Sequence, residues 1–353
     1  MSLSGGPLPN PSPAWGRGIL GARATLLATA CLAFLAACTP VVQEVLPTVR
    51  APVLLVESGA RFIAADGREL PVRLWPARDE PKAVILALHG FNDYSNAFKM
   101  PALWWASRGV TVYAYDQRGF GATAEAGLWP GVAPMVDDLR AMTAQVRVRH
   151  PDVPFYWLGV SMGGAVMLAA LGEPAGAGDP LAGKNGTVLV APAVWGRETM
   201  DPLYRATLWL GAHLMPWQKL TGRGLDIIPS DNIEMLRTLG RDPLVIKETR
   251  IDAVYGLANL MDAALAAAPR VRAPLLVLYG ARDEVIPKRP ARLMIQRLAG
   301  PHQFAFYGEG YHMLLRDLQA ETVWRDVLAW VLDTAAPLPS GAEAAAEDIF
   351  ATR

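Results

Sequence analysis

Short, unbroken apolar runs recur along this chain at spacings that leave room for a helix between them. Ala83 to Leu88 reads Ala-Val-Ile-Leu-Ala-Leu. Val110 to Tyr115, Phe155 to Gly159, Thr187 to Ala191 and Pro274 to Gly280 carry the same signature, and Phe304 to Tyr307 is a weaker sixth. A strand with one wet face alternates in hydropathy; a strand covered on both faces does not. Amphipathic helical patterns separate the runs, at Met135 to Val148, Met162 to Leu171, Pro290 to Leu298 and Glu321 to Leu332. Strands alternating with helices predict an α/β fold with a mostly parallel, doubly wound sheet and right-handed crossovers. Val53 to Ala77 instead alternates around Asp66-Gly67 and predicts an antiparallel hairpin at the sheet edge.

The alternation fails between about Pro192 and Arg270, where the texture is helical and strand signals are absent. Trp195, Trp209 and Trp217 lie there among Leu208, Leu210, Leu214 and Met215. The segment predicts a helical lid over residues 192–270, inserted between two parts of one core, 56–191 and 271–335. After Ala335 the chain is rich in Ala, Pro and Glu and predicts a disordered tail over 336–353. With 52% hydrophobic residues, 353 residues suffice for a large core. The 33 basic and 33 acidic residues cancel, which leaves no electrostatic footprint for nucleic acid. Two cysteines and five histidines, all scattered, form no metal-type cluster.

Residues 1–37 read as a targeting segment rather than part of the fold. Arg17 and Arg23 precede an apolar stretch from Leu26 to Ala37, too short to span a bilayer, which needs about 20 apolar residues. It ends Leu35-Ala36-Ala37-Cys38, which resembles a bacterial lipobox and implies a lipidated Cys38 as the mature N-terminus. The alternative is an ordinary secretory signal. The stretch before Arg17 is long and Pro-rich for a signal, so a start codon further downstream is open. Thr39 after the cysteine, where inner-membrane lipoproteins usually resemble a Cys-Asp start, points to an outer membrane and its periplasmic face. Pro40, Pro47 and Pro52 predict a semi-stiff tether over 38–55.

Gly159-Val160-Ser161-Met162-Gly163 joins the run Phe155 to Leu158 to a helical pattern. A sharp strand-to-helix turn strains the serine and lifts its hydroxyl above the sheet. The bland alternative is a helix-capping serine. A serine hydroxyl needs a base. Of the five histidines only His312, in Gly308-Glu309-Gly310-Tyr311-His312, follows a late strand at the edge where open α/β sheets place their sites. Asp283, in Gly280-Ala281-Arg282-Asp283, follows another strand and suits the carboxylate that orients the base; Glu284 beside it is the rival. Ser161, Asp283 and His312 are thus the candidate catalytic residues. The backbone N–H groups of Met162 and Phe91, the latter in the loop after Leu88, are the candidate oxyanion donors.

From about Ala60 to Leu332 the chain resembles the monoacylglycerol lipase and lysophospholipase group of α/β-hydrolases. The resemblance rests on His89-Gly90, Tyr115-Asp116-Gln117-Arg118-Gly119-Phe120-Gly121, Gly159 to Gly164, Gly280 to Pro287 and Gly310 to His312. It implies the α/β-hydrolase fold with a lid, a serine triad in the order Ser161, Asp283, His312, and no metal or organic cofactor. Two positions depart from that group, which often has His in place of Val160 and a small residue in place of Phe91. The phenylalanine should narrow the entrance beside the oxyanion hole. The implied partners are a lipid ester substrate and, through Cys38, a membrane. Competing expectations are a short-chain carboxylesterase and a prolyl-type aminopeptidase, whose amine-binding acids would be Glu198, Asp201, Asp226, Asp231 or Glu234. A non-catalytic lipid-binding lipoprotein on the same fold is the remaining one.

Overall fold

The computed structural model describes residues 39–56, 60–174, 185–222, 224 and 226–343, together with residues 1, 2 and 6. The expected targeting segment, apart from those three residues, and Cys38 lie outside the described residues, as do residues 344–353 of the expected tail.

Nine of the described strands form one sheet. Three short antiparallel strands open it: β1 (Val53–Leu55), β2 (Arg61–Ile63) and β3 (Glu69–Trp75). The β2–β3 turn is the one expected at Asp66-Gly67, where Gly67 takes a φ of +85° that L side chains avoid. β3 then pairs antiparallel with β5 (Val110–Tyr115). From there β4 (Ala83–Leu88), β6 (Phe155–Val160), β7 (Gly186–Val190), β10 (Leu275–Gly280) and β11 (His302–Tyr307) continue in parallel. The order is β1-β2-β3-β5-β4-β6-β7-β10-β11. The unbroken apolar runs have the expected cause. In β4, Val84, Leu86 and Leu88 enter one core layer while Ala83, Ile85 and Ala87 enter the other.

One layer is built by α2 (Val132–Arg149), α3 (Met162–Leu171) and α7 (Lys288–Arg297). The other is built by α1 (Lys99–Ala106) and α8 (Ala320–Leu332). No periodicity announced α1, a short helix with Pro101 in its first turn, where a missing N–H costs little. Between β7 and β10 come α4 (Pro202–Leu214), α5 (Ile233–Arg241) and α6 (Ile251–Ala267). Two features differ from the expected lid. Strands β8 (Lys219–Thr221) and β9 (Glu248–Arg250) pair antiparallel, each too short to show alternation in sequence. And α6 is no cover: Ala258, Leu260, Ala264 and Leu265 sit in the main core beside α3. Ile251–Arg270 is apolar and long enough to cross a membrane by composition, yet most of that stretch is buried in the body, as an all-round apolar core helix is.

The chain ends also differ. The expected tether is docked: Val42 forms a parallel bridge with Trp129, Gln43 N–H donates to Trp129 O at 2.8 Å, and Val49 N–H donates to Ala65 O at 2.8 Å. The tail expected from residue 336 is packed as far as 343. Leu338 and Ala342 are buried against the α1–α8 layer, and Ser340 N–H and Oγ–H donate to Asp326. Two small apolar side chains and one hydroxyl outweigh the disorder signal of the composition.

The loops above the sheet are fastened at His89. Its ring is fully buried; Nε2 accepts the Gln117 N–H at 2.9 Å and Nδ1 lies 2.8 Å from Gly90 O, which assigns the proton to Nδ1. The His89 carbonyl accepts from Gln117 Nε2 at 2.8 Å and from Gly163 N–H at 3.1 Å. One residue thus ties the loop after β4, the Asp116–Gly121 loop and the start of α3. Asp116 holds that second loop, accepting from Ser95 N–H at 3.0 Å and Ala122 N–H at 2.9 Å. Arg118 pairs with both Asp66 and Asp138. Burial opposes its charge, but the two carboxylates raise its basicity above the usual.

The approach of α3 to the sheet leaves no space for side chains. A Cβ on Gly163 would lie 2.3 Å from the Leu88 carbonyl oxygen, and one on Gly159 would lie 2.6 Å from the Gly164 nitrogen. Gly163→Ala should therefore lose about 3 kcal/mol by urea denaturation. Gly308→Ala, where nothing lies within 4 Å, should stay within about 0.5 kcal/mol.

Burial also depresses the basicity of His89 below the ordinary 6.5. The unfolded chain then binds a proton below pH 6.5 that the folded imidazole refuses. Stability is complete above that pH and falls below it, at up to about 1.4 kcal/mol per pH unit from this group. The urea midpoint of His89→Gln, compared with wild type at pH 8 and pH 5, should fall less steeply. An equal fall would assign the acid sensitivity elsewhere.

Candidate active site

Ser161 sits between β6 and α3 at φ +50°, ψ −113°. For a residue with a Cβ this backbone costs about 1–3 kcal/mol and persists only when its surroundings impose it. They do: Ser161 N–H donates to Val190 O at 2.9 Å, and its carbonyl accepts from Ala165 at 3.1 Å and Ala193 at 2.9 Å. The hydroxyl makes no capping bond to the helix it precedes, which removes the helix-cap alternative. It lines a cavity of about 400 Å³ that His312 lines too.

His312 follows β11 on the loop that Gly310 shapes. Arg282 N–H donates to Gly310 O at 2.9 Å, and a Cβ on Gly280 would lie 2.4 Å from that oxygen, so the turns after β10 and β11 touch backbone to backbone. This brings His312 Nδ1 to 2.9 Å from Asp283 Oδ2. The other oxygen of Asp283 accepts from Val285 N–H at 2.8 Å and Ile286 N–H at 2.9 Å, and the carboxylate is fully buried. With Nδ1–H donating to this acceptor, Nε2 is the nitrogen left for chemistry. Glu284 points elsewhere and accepts from Ile228 N–H at 3.0 Å. A second carboxylate steadies the loop: Asp317 accepts from Tyr311 N–H at 2.8 Å and from Ser230 Oγ–H at 2.6 Å. Burial holds it above the usual carboxylate range despite those bonds.

Met162 is the first residue of α3, where backbone N–H groups lack partners inside the helix. Phe91 lies on the loop after β4, and its ring folds against Phe120 (centroids 5.5 Å, edge-on) and Trp129 (6.3 Å). The ring lines the cavity, as does Val160.

The cavity is mostly apolar. Of the three insert tryptophans only Trp195 reaches it; Trp209 and Trp217 are 48% and 56% exposed. Its charged lining residues among those described are Asp93 and Arg316, which pair with each other. Sequence reasoning missed this pair. The one available signal was Arg316 standing four residues after His312. None of Glu198, Asp201, Asp226, Asp231 and Glu234 lines the cavity. Glu198 pairs with Arg297, Asp201 caps α4, Asp231 accepts from Leu318 N–H and Glu234 pairs with Arg237.

Comparison with known proteins agrees with this architecture. The chain is 26% identical over 287 residues to a monoacylglycerol lipase of Mycolicibacterium smegmatis, covering 77% of this chain and 95% of that one. It is 28% identical over 278 residues to a monoglyceride lipase of Mus musculus, covering 76% and 89%. A soluble variant of monoglyceride lipase from Saccharomyces cerevisiae superposes with a TM-score of 0.65 at 18% identity, covering 83% and 97%, and shares the fold. The family model described as serine aminopeptidase S33, Hydrolase_4, matches residues 79–319. The chain therefore belongs to that family and has the α/β-hydrolase fold.

Proposed function

We propose that this protein hydrolyses carboxylic esters of lipids, monoacylglycerols first and lysophospholipids second, through an acyl-enzyme on Ser161. The observation that carries the reading is one apolar cavity of about 400 Å³ lined by both the strained serine and the histidine that Asp283 orients. The names of the relatives agree with it. Ser161 Oγ attacks the ester carbonyl as His312 Nε2 takes its proton, and the N–H groups of Phe91 and Met162 bind the oxyanion. His312 then hands the proton to the departing alcohol as the C–O bond breaks. Water, deprotonated by the same imidazole, releases the fatty acid. The acyl chain lies against apolar cavity residues such as Trp195, Met200, Leu208 and Leu257, with each buried methylene contributing about 0.8 kcal/mol. No step needs a metal or an organic cofactor.

The family description names an aminopeptidase, but an amine-binding site needs an unpaired acid, and the one acid lining this cavity among the described residues, Asp93, is paired with Arg316. We further propose that Cys38 is lipidated and holds the protein at the cell envelope, on the periplasmic side of an outer membrane.

Ser161→Ala should lose about 10⁴-fold or more in kcat with its melting temperature unchanged. It should also escape a fluorophosphonate probe that labels wild type; equal labelling of both would revive the non-catalytic reading. Asp283→Asn should lose about 10⁴-fold in kcat by leaving His312 in the wrong tautomer, whereas Glu284→Gln should act like wild type.

A panel of monoacylglycerols, lysophospholipids, short esters and proline arylamides tests the substrate class. kcat/KM should rise by up to roughly fourfold per methylene until the cavity is full. A preference for acetyl esters or for the arylamide would overturn the lipid-ester reading.

A further inference from the structure

We infer that Trp129 is a positioning residue for the reaction proposed at Ser161, a role that rests on that proposed function. Its indole holds the Phe91 ring, and with it the Phe91 N–H that receives the oxyanion. Residues Val41–Gln43 in turn hold Trp129.

Phe91 N–H makes no hydrogen bond among the described residues, as suits a donor kept for a reacting oxygen. The next residue, Asn92, stands at φ +65°, a left-handed backbone that persists where its surroundings impose it. On the backbone side the insert supplies those surroundings. Ile246 N–H donates to Asn92 O at 3.0 Å, and Asn92 Nδ2–H to Thr249 Oγ1 at 2.7 Å. On the side-chain side the Phe91 ring lies between the rings of Phe120 and Trp129. Phe120 belongs to the loop that His89 and Asp116 fasten, and its ring meets His89 edge-on at 5.8 Å. Trp129 stands outside that loop, in the turns ahead of α2, and needs a support of its own.

Two parts of the chain supply it. The indole is 3% exposed and rests on Gly256 of α6, where a Cβ would lie 2.3 Å from the ring. A glycine inside a helix weakens the helix, and here the indole occupies the space a methyl group would take. One turn earlier on the same face of α6, Asp252 accepts Val41 N–H at 3.3 Å. The chain then runs from Asp252 to Trp129. Val42 bridges Trp129, and Gln43 N–H donates to Trp129 O at 2.8 Å. Gln43 is buried, and its Nε2 donates to Leu128 O at 3.1 Å. The indole is thus held between α6 and the segment ahead of β1. That segment precedes the span 79–319 that the family model matches.

Trp129 is not among the residues that line the cavity, so it reaches the reaction through Phe91. Without the indole, the Phe91 ring and the loop behind it can move into the vacated space. A displacement of about 1 Å in a catalytic group costs about 100-fold in rate.

The full chain and its variants would be assayed for kcat and KM on soluble p-nitrophenyl butyrate. Inactivation by a fluorophosphonate, whose phosphoryl oxygen needs the same donors, and melting temperature would be followed beside them. Trp129→Ala should lower kcat and the inactivation rate about 10- to 100-fold, with KM within about twofold. Trp129→Phe, which keeps a ring against Phe91, should stay within about threefold of wild type. Phe91→Ala should show a loss like that of Trp129→Ala. Adding Trp129→Ala to it should cost no more than about twofold further, because no ring is left to hold. The acid limb of the kcat–pH profile, which reports His312, should not move in any variant.

Gln43→Pro removes both bonds from residue 43 and leaves the side chains of the body in place. It should lower kcat about three- to tenfold, a loss that also vanishes in the Phe91→Ala background. This variant carries the test if Trp129→Ala does not fold. Wild-type rates in folded Trp129→Ala or in Gln43→Pro would each overturn the inference. So would losses that multiply in the double variants, or a shifted acid limb, which would place the effect at His312. A wild-type chain that neither cleaves the ester nor takes up the probe would refute the proposed function, and the role of Trp129 with it. Wild-type hydrolysis with unchanged variants would refute the role of Trp129 alone.

Discussion

The closeness of α3 to the strands beneath it is the constraint on which the upper edge of the molecule depends. Leu88 pairs in register with Gly159, and Gly163 rests on the Leu88 carbonyl with no space for a methyl group. That contact presses the turn at Ser161 into left-handed backbone and fixes the first N–H groups of α3 beside the loop after β4. The His89 carbonyl, accepting from Gly163 N–H, extends the same contact to Gln117. The serine is strained because its neighbours are packed, and the packing is spread over the whole sheet.

The insert between β7 and β10 divides into parts with opposite surfaces. α6 is mainly apolar because most of it is core, with Asn259 and Asp262 on its outer side. α4 is apolar outward as well as inward: Leu203, Trp209, Leu210 and Leu214 are each more than two-fifths exposed, although the Trp209 ring stacks on His213. Composition alone does not separate the two: both are rich in Leu and Ala, and the packing of α6 beside α3 tells them apart. The segment 229–232 has another task. Met313 N–H donates to Pro229 O at 3.0 Å and Ser230 bonds Asp317, so the insert braces the histidine loop.

Much of the scaffold was legible because burial on both faces of a parallel sheet demands unbroken apolar runs, and these matched the strands to within a residue or two. The turn glycines were legible because close approach leaves glycine no substitute. What stayed hidden depends on contacts between distant parts of the chain. Asp93 and Arg316 are 223 residues apart, and nothing local to either marks the pairing. Trp129 packs on Gly256, where a Cβ would lie 2.3 Å from the ring, but a lone glycine in a helical pattern does not name its neighbour. The docked N-terminal segment reads in sequence as a semi-stiff tether because its prolines suppress periodicity and its bonds are mainly backbone bonds to remote residues. Asp283 and Glu284 could be ranked in sequence only by their position in the turn; geometry separates them, since one reaches His312 and the other Ile228.

The bond from Val41 to Asp252 closes a loop of 211 residues. No stretch of chain made before residue 252 can complete it, whereas the contacts of Val42 and Gln43 with Trp129 need only the first half of the chain. Closing so long a loop costs chain entropy that one hydrogen bond does not repay; the finished body, presenting Trp129 and Asp252 at fixed positions, supplies the remainder. The Val41 bond is thus the later of the two attachments of Val41–Gln43, and it joins the segment ahead of β1 to α6, the last α-helix of the insert.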